Sequence, residues 1–219
     1  MFPHIHIDPP TMPRSGEPPH ERLAAALPLA GTPGQAYVER RGITLAIADA
    51  AGMRFDPDWN GRPAVLIGMY EREARLTSLH GRYLETRRGQ DKMFTIGPGG
   101  GVAASGAGWR SEPMILVEGI FDVLSLAVCG WDSVATVGRW APWLPEACSG
   151  RSVWLAFDAN APGEREVAHY IQHLPRSTTH RLLPPAHCKD WNTALIKRGP
   201  AALTRWLRES LQARATTSR

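Results

Sequence analysis

Cysteine is scarce in this sequence and scattered, with Cys129, Cys148 and Cys188 the only three in 219 residues. An odd, widely spaced set excludes a disulfide framework and a CxxC zinc module, and it points to a reduced, cytoplasmic setting. Long apolar runs are lacking too: no stretch of about 18 apolar residues occurs, and no positive region leads into an apolar segment at the N-terminus, so neither secretion nor a membrane span is expected. A P-loop is also missing. The glycine-rich stretch Gly97-Pro98-Gly99-Gly100-Gly101 through Gly108 holds no lysine and runs on into Trp109-Arg110, whereas phosphate cradling by that motif needs Gly-Lys-Ser/Thr opening a helix. Nor does one charge sign dominate. With 25 Lys and Arg against 21 Asp and Glu, and a pI near 9.2, the chain leans only mildly toward a polyanionic partner.

What is present divides at that glycine-rich stretch, which reads as a flexible connection between two lobes. Residues 1–20 are dense in proline and read as a flexible arm, in which His4, His6 and Asp8 fall at alternate positions of an ordinary polar tail. From about Glu21 to Arg54 the pattern predicts three short helices, around Leu23 to Leu27, Gln35 to Arg41 and Leu45 to Ala51. The continuous run Pro63 to Met69 and the alternating run Leu76 to Leu84, joined by a charged turn, predict an antiparallel hairpin. Residues 21–108 thus read as a small α+β lobe.

Beyond the glycines the pattern becomes strand Met114 to Val117, helix Phe121 to Val128, strand Ser133 to Val137, strand Ser152 to Phe157, helix Glu164 to Leu174 and strand His180 to Leu183. Short apolar runs joined by helical crossovers predict an α/β architecture, a parallel sheet covered on both faces over 109–190. Residues 191–219 read as C-terminal helices, Trp191 to Arg198 stopped by Gly199 and a second opened by Pro200. Leu203, Trp206, Leu207 and Leu211 fall on one face of the latter, a stripe for packing.

Ligands of open α/β sheets gather at the carboxyl ends of strands, and two carboxylates land there: Glu118 directly after Met114 to Val117, and Asp158 after Ser152 to Phe157. Two converging carboxylates repel unless a cation or proton lies between them, and hard oxygen ligands suit Mg²⁺ or Mn²⁺. Phosphoryl chemistry is a natural destination for such a site. An acidic residue at a strand end is also a routine helix cap, so the bare pattern leaves both readings open. Trp140 and Trp143, flanking Pro142, are more in keeping with sealing a core edge than with stacking bases.

The stretch Leu116-Val117-Glu118-Gly119-Ile120-Phe121-Asp122-Val123 resembles the Glu-Gly motif of Toprim domains in the form used by DnaG-type primases. Asp158-Ala159-Asn160-Ala161-Pro162-Gly163 is similar to the Asp-x-Asp motif of that family, and Lys189-Asp190-Trp191-Asn192 to the Lys-Asp-x-Asn-Asp segment of phage and plasmid primases. Upstream, Tyr37-Val38-Glu39-Arg40-Arg41-Gly42-Ile43, Leu79-His80-Gly81-Arg82-Tyr83-Leu84 and Asp91-Lys92-Met93 resemble segments of the primase core. The likeness implies a Toprim sheet behind a basic lobe, with Glu118 and Asp158 as catalytic metal ligands to Mg²⁺ or Mn²⁺, aided by Asp122 and Asn160. It implies nucleic-acid or nucleotide contacts at Arg82, Lys92, Lys189 and Asp190. It further implies single-stranded DNA template and ribonucleotides as partners, a helicase or other replication protein beside them, and synthesis of short RNA primers in replication. Two departures stand out. Asn160 replaces the second Asp of Asp-x-Asp, and three scattered cysteines with His187 cannot build a four-ligand zinc finger at its usual spacing. A catalytically silent Toprim module is therefore the alternative, and a Toprim nuclease a third reading.

Overall fold

The computed structural model of the protein describes residues 17–86 and 88–215. His4, His6 and Asp8 lie outside the described residues. The predicted arm is shorter than 20 residues in its described part, because helix α1 (Pro19–Ala25) already begins at a proline in its favoured first position. Helices α2 (Pro33–Glu39) and α3 (Leu45–Ala50) follow, each opened by a threonine whose hydroxyl accepts a backbone N–H, Thr32 from Gly34 and Thr44 from Ile47.

Four antiparallel strands come next in spatial order: β1 (Arg54–Trp59), β2 (Arg62–Tyr70), β3 (Leu76–Tyr83) and β4 (Met93–Ile96). Only the β2–β3 hairpin is evident from the sequence. Strand β1 carries Pro57, which an edge strand tolerates because the missing donor costs no ladder bond. Gly81 lets the Trp59 indole cross β3, since a Cβ there would sit 2.0 Å from Trp59 Nε1. Leu79, Tyr83 and Trp59 bury one face of this sheet, and alternation puts His80 and Arg82 on the other.

The second sheet runs β5 (Ala103–Ala104), β7 (Val134–Ala135), β6 (Met114–Val117), β8 (Ser152–Leu155), β9 (Thr178–Arg181). Its last four strands are parallel as expected, but β5 pairs antiparallel with β7, so the sheet is mixed. Helix α4 (Ile120–Val128) links β6 to β7, the short α5 (Leu144–Cys148) precedes β8, and α6 (Ala161–His173) links β8 to β9. The glycine-rich connection is not slack throughout. Val102 bridges Tyr70 of β2, and Gly101 is so tightly packed that a Cβ would lie 2.3 Å from Thr77 Oγ1.

Helices α7 (Trp191–Arg198) and α8 (Pro200–Ala215) close the chain. Leu203, Leu207 and Leu211 are buried, but Trp206 departs from the predicted stripe; it is 39% exposed. A single apolar cluster runs from Leu29, Tyr37 and Val38 of the first half through Val117, Phe121 and Trp191 to Leu207 of α8. Trp140 and Trp143 are half-buried against a second cluster, and Trp143 Nε1 donates to the Gly100 carbonyl at 2.7 Å. All three cysteines are free and buried. No described helix is long and apolar enough to cross a membrane.

Candidate functional site

The chain leaves β6 toward β7 on one side and leaves β8 toward β9 on the other, so a crevice opens between the carboxyl ends of β6 and β8. Glu118 follows β6 and Asp158 lies just past β8, which sets both on this edge. The crevice widens into a cleft of about 420 Å³ whose other wall comes from the first sheet and the turn after α2, with Arg41, His80, Arg82 and Met93 facing Glu118, Asp122, Asp158, Lys189, Asp190 and Asn192.

Two buried polar atoms at the cleft are unsatisfied among the described residues: Glu118 Oε2 and Arg82 Nε. Buried groups of this kind are costly and rare, and a bound cation or anion is one way to satisfy them. Burial, and after it the neighbouring Asp158, raises the Glu118 carboxyl above its ordinary value. Burial and then Asp190 do the same for Asp158. Each carboxylate would therefore gain from a nearby cation.

Asp122 sits in the first turn of α4 but reaches across to α7. Its Oδ1 accepts from the backbone N–H of Trp191 at 2.9 Å and of Asn192 at 3.1 Å. Burial, then Asp190 and Asp158, push its carboxyl up to about 7 against those two donors. Asp190 caps the same helix, Oδ1 accepting from Thr193 N at 2.6 Å while Oδ2 meets Lys189 Nζ at 2.8 Å. Burial opposes ionisation at Asp190, yet the hydrogen bonds from Lys189 and Thr193 outweigh it and hold the carboxyl below its usual value.

Asn160 is the helix cap of α6. Its Oδ1 accepts from Gly163 N at 2.9 Å, which leaves Nδ2 to donate to Asp158 Oδ2 at 3.3 Å. A backbone N–H must meet oxygen, so the capping bond fixes the amide's orientation. The residue expected to lend a metal an oxygen instead presents a donor to the neighbouring carboxylate. Gly163 has its own reason: a Cβ there would lie 2.1 Å from the Asp158 carbonyl, so α6 can start this close to the strand end only on glycine.

Of the basic residues singled out in the sequence, Arg82 and Lys189 line the cleft and Lys92 does not. Lys92 precedes β4 on its exposed edge. Arg41 was not singled out, although it lines the same cleft. Its guanidinium lies 4.1 Å from the Phe121 ring centroid and donates to Asn192 Oδ1 and Tyr37 Oη, each at 3.0 Å. Val137, also on the cleft, takes a φ of 52, a costly conformation for a β-branched residue, with its N–H donating to the Glu118 carbonyl at 3.1 Å.

Residues 113–201 match the Toprim domain, and residues 19–97 match a domain of unknown function (DUF7146). No curated protein matches the chain in sequence. Among solved structures, the Aquifex aeolicus primase, represented by its zinc-binding and RNA polymerase domains, superposes with a TM-score of 0.68 at 16% identity; 88% of this chain is covered and 59% of that one. The primase fragment of the bacteriophage T7 primase-helicase protein gives 0.55 at 17% identity, over 76% of this chain and 71% of that one. The RNA polymerase domain of Mycobacterium tuberculosis primase DnaG gives 0.66 at 13% identity, over 85% and 80%. The chain thus spans about three fifths of the Aquifex fragment, and at these identities the likeness is one of fold. The protein carries a Toprim domain at residues 113–201, within a fold that resembles the catalytic core of DnaG-type primases.

Proposed function

We propose that this is a primase-like nucleotidyltransferase that binds single-stranded DNA and Mg²⁺ or Mn²⁺ and joins ribonucleotides into short primers. The observation that carries the reading is the cleft in which the unsatisfied Glu118 Oε2 lies on one wall and the unsatisfied Arg82 Nε on the other. A divalent cation at Glu118 and Asp158 would satisfy the first, and a phosphate oxygen would satisfy the second. No three His, Cys, Asp or Glu side chains converge to hold an ion among the described residues, so water or phosphate oxygens would complete its shell, as Mg²⁺ prefers. The cation would neutralise phosphate charge in an in-line displacement. Arg82, Arg41 and Lys189 would position the triphosphate, while Asp122 and Asp190 hold the start of α7 that forms one wall. The DnaG catalytic domain solved with single-stranded DNA shares the fold over 88% of this chain, which supports single-stranded DNA as a ligand. The joint primase-helicase architecture of the T7 protein supports a helicase as a partner.

Asn160 favours a second reading, a silent Toprim module, because its oxygen is committed to Gly163. Labelled ribonucleotides, single-stranded templates and either metal decide between them. Short products that disappear in Glu118→Ala and Asp158→Ala, with both variants still folded, support the primase reading. Absence of product under every metal, with DNA binding retained, puts the silent module in its place.

A further inference from the structure

Histidine at position 80 is out of keeping with its surroundings. It lines a cleft that holds three cations and four carboxylates, yet it is only 2% exposed. Its Nδ1 is 2.8 Å from Thr95 Oγ1, the hydroxyl of the residue directly opposite on β4. That contact fixes the ring plane, and Nε2 meets no hydrogen-bond partner among the described residues. His80 stands two residues from Arg82 on one strand, so both project from the same face of β3.

We propose that His80 is a specificity-determining residue of this cleft: its imidazole, held by Thr95, hydrogen-bonds an uncharged polar group of a bound nucleotide, a sugar hydroxyl or a base edge, beside the phosphate contact of Arg82. The proposal rests on the reading of the cleft as a nucleotide site. Burial first, and then the nearby Arg82 and Arg139 cations, lower the His80 pKa to about 4. At neutral pH the ring therefore carries no charge and adds nothing to phosphate attraction, which Arg41, Arg82 and Lys189 already supply. What a neutral, oriented imidazole offers is one directional donor or acceptor. A site that hydrogen-bonds a hydroxyl or amide discriminates against a ligand lacking it, because its own polar atom is then left unpaired.

Titration calorimetry with ATP, 2′-deoxyATP and inorganic triphosphate tests this, in the presence of Mn²⁺. His80→Ala should weaken ATP by about fivefold, the worth of one neutral hydrogen bond, and leave triphosphate unchanged. His80→Gln, which keeps a neutral hydrogen-bonding tip, should recover part of the loss. Thr95→Val, nearly isosteric and on the neighbouring strand, should lose affinity in the same direction and covers the case in which His80→Ala fails to fold. If ATP suffers and 2′-deoxyATP does not, the 2′-hydroxyl is the contact; equal losses assign the base edge or the 3′-hydroxyl. Equal ATP affinity in wild type, His80→Ala and Thr95→Val overturns the proposal while leaving the nucleotide site standing. No ATP binding by the wild type overturns both.

Discussion

At Asn160 one side chain serves two neighbours, and the consequence of changing it can be worked out atom by atom. Aspartate caps a helix about as well as asparagine, so Asn160→Asp keeps the Gly163 bond. Its second oxygen, however, replaces the donor that now lies 3.3 Å from Asp158 Oδ2, and attraction becomes repulsion worth at most about 1 kcal/mol at such an exposed place. The variant should melt lower than wild type in EDTA and gain more from Mn²⁺. A metal response identical to that of wild type would show that no cation sits between positions 158 and 160. Asp122 has a different signature. Its folded pKa of about 7 lies above the unfolded value of about 3.9. From pH 4 to 7 the folded state therefore holds a proton that the unfolded chain has released, and stability falls as pH rises through that window. Asp122→Asn keeps an oxygen for the Trp191 and Asn192 amides without the charge. In EDTA it should be more stable than wild type at pH 8, by roughly 1 to 4 kcal/mol, with the gap closing toward pH 4. A gap of constant size across that range would mean that Asp122 does not titrate there.

Elements explain why some of the site could be read directly and some could not. The apolar run before Glu118, the run before Asp158 and the Gly199-Pro200 break each carry a local signal, so β6, β8 and the junction of α7 with α8 fall where periodicity puts them. Strands β1, β4 and β5 carry none: one contains Pro57, one opens on the exposed Met93 and Phe94, and one is two residues long. Their pairing is imposed by neighbours, as β-structure often is. Arg41 escaped for a related reason, since its partner Asn192 is 151 residues away and nothing local reports such a contact. The orientation of Asn160 was equally hidden, because capping and ligating residues share one alphabet. Gly163, quoted as part of a motif, gains a physical cause from the turn between β8 and α6. Gly163→Ala should cost about 1 to 3 kcal/mol by forcing the helix start away from the Asp158 carbonyl. Gly99→Ala, with nothing within 4 Å of the added methyl, should be neutral. Melting temperatures of the two variants compare them, and an unchanged Gly163→Ala would mean that the α6 start is more compliant than this packing implies.

Across the whole molecule the balance of charge bears most directly on DNA. The chain carries a net +4, yet the cleft does not share that excess. Three cations, Arg41, Arg82 and Lys189, line it against four carboxylates, Glu118, Asp122, Asp158 and Asp190. A polyanion approaching this cleft without metal meets at best a neutral surface, and the carboxyl values at Glu118 and Asp158 are raised first by burial and then by the neighbouring carboxylates. A divalent cation reverses the sign of the sum. Binding of single-stranded DNA should therefore rise when Mg²⁺ or Mn²⁺ replaces EDTA at matched ionic strength, a condition that matters because monovalent salt alone weakens phosphate contacts by counterion release. In a fluorescence-anisotropy salt series with metal present, Arg82→Ala should reduce the logarithmic slope by roughly 0.7, the share of one single-strand phosphate contact. Lys92→Ala, on the exposed edge outside the cleft, should leave the slope as it is. The three results bear on separate claims. Equal affinity in EDTA and Mn²⁺ would place the DNA away from the carboxylates. A slope altered by Lys92 and not by Arg82 would move the binding surface from the cleft to the outer edge of the first sheet.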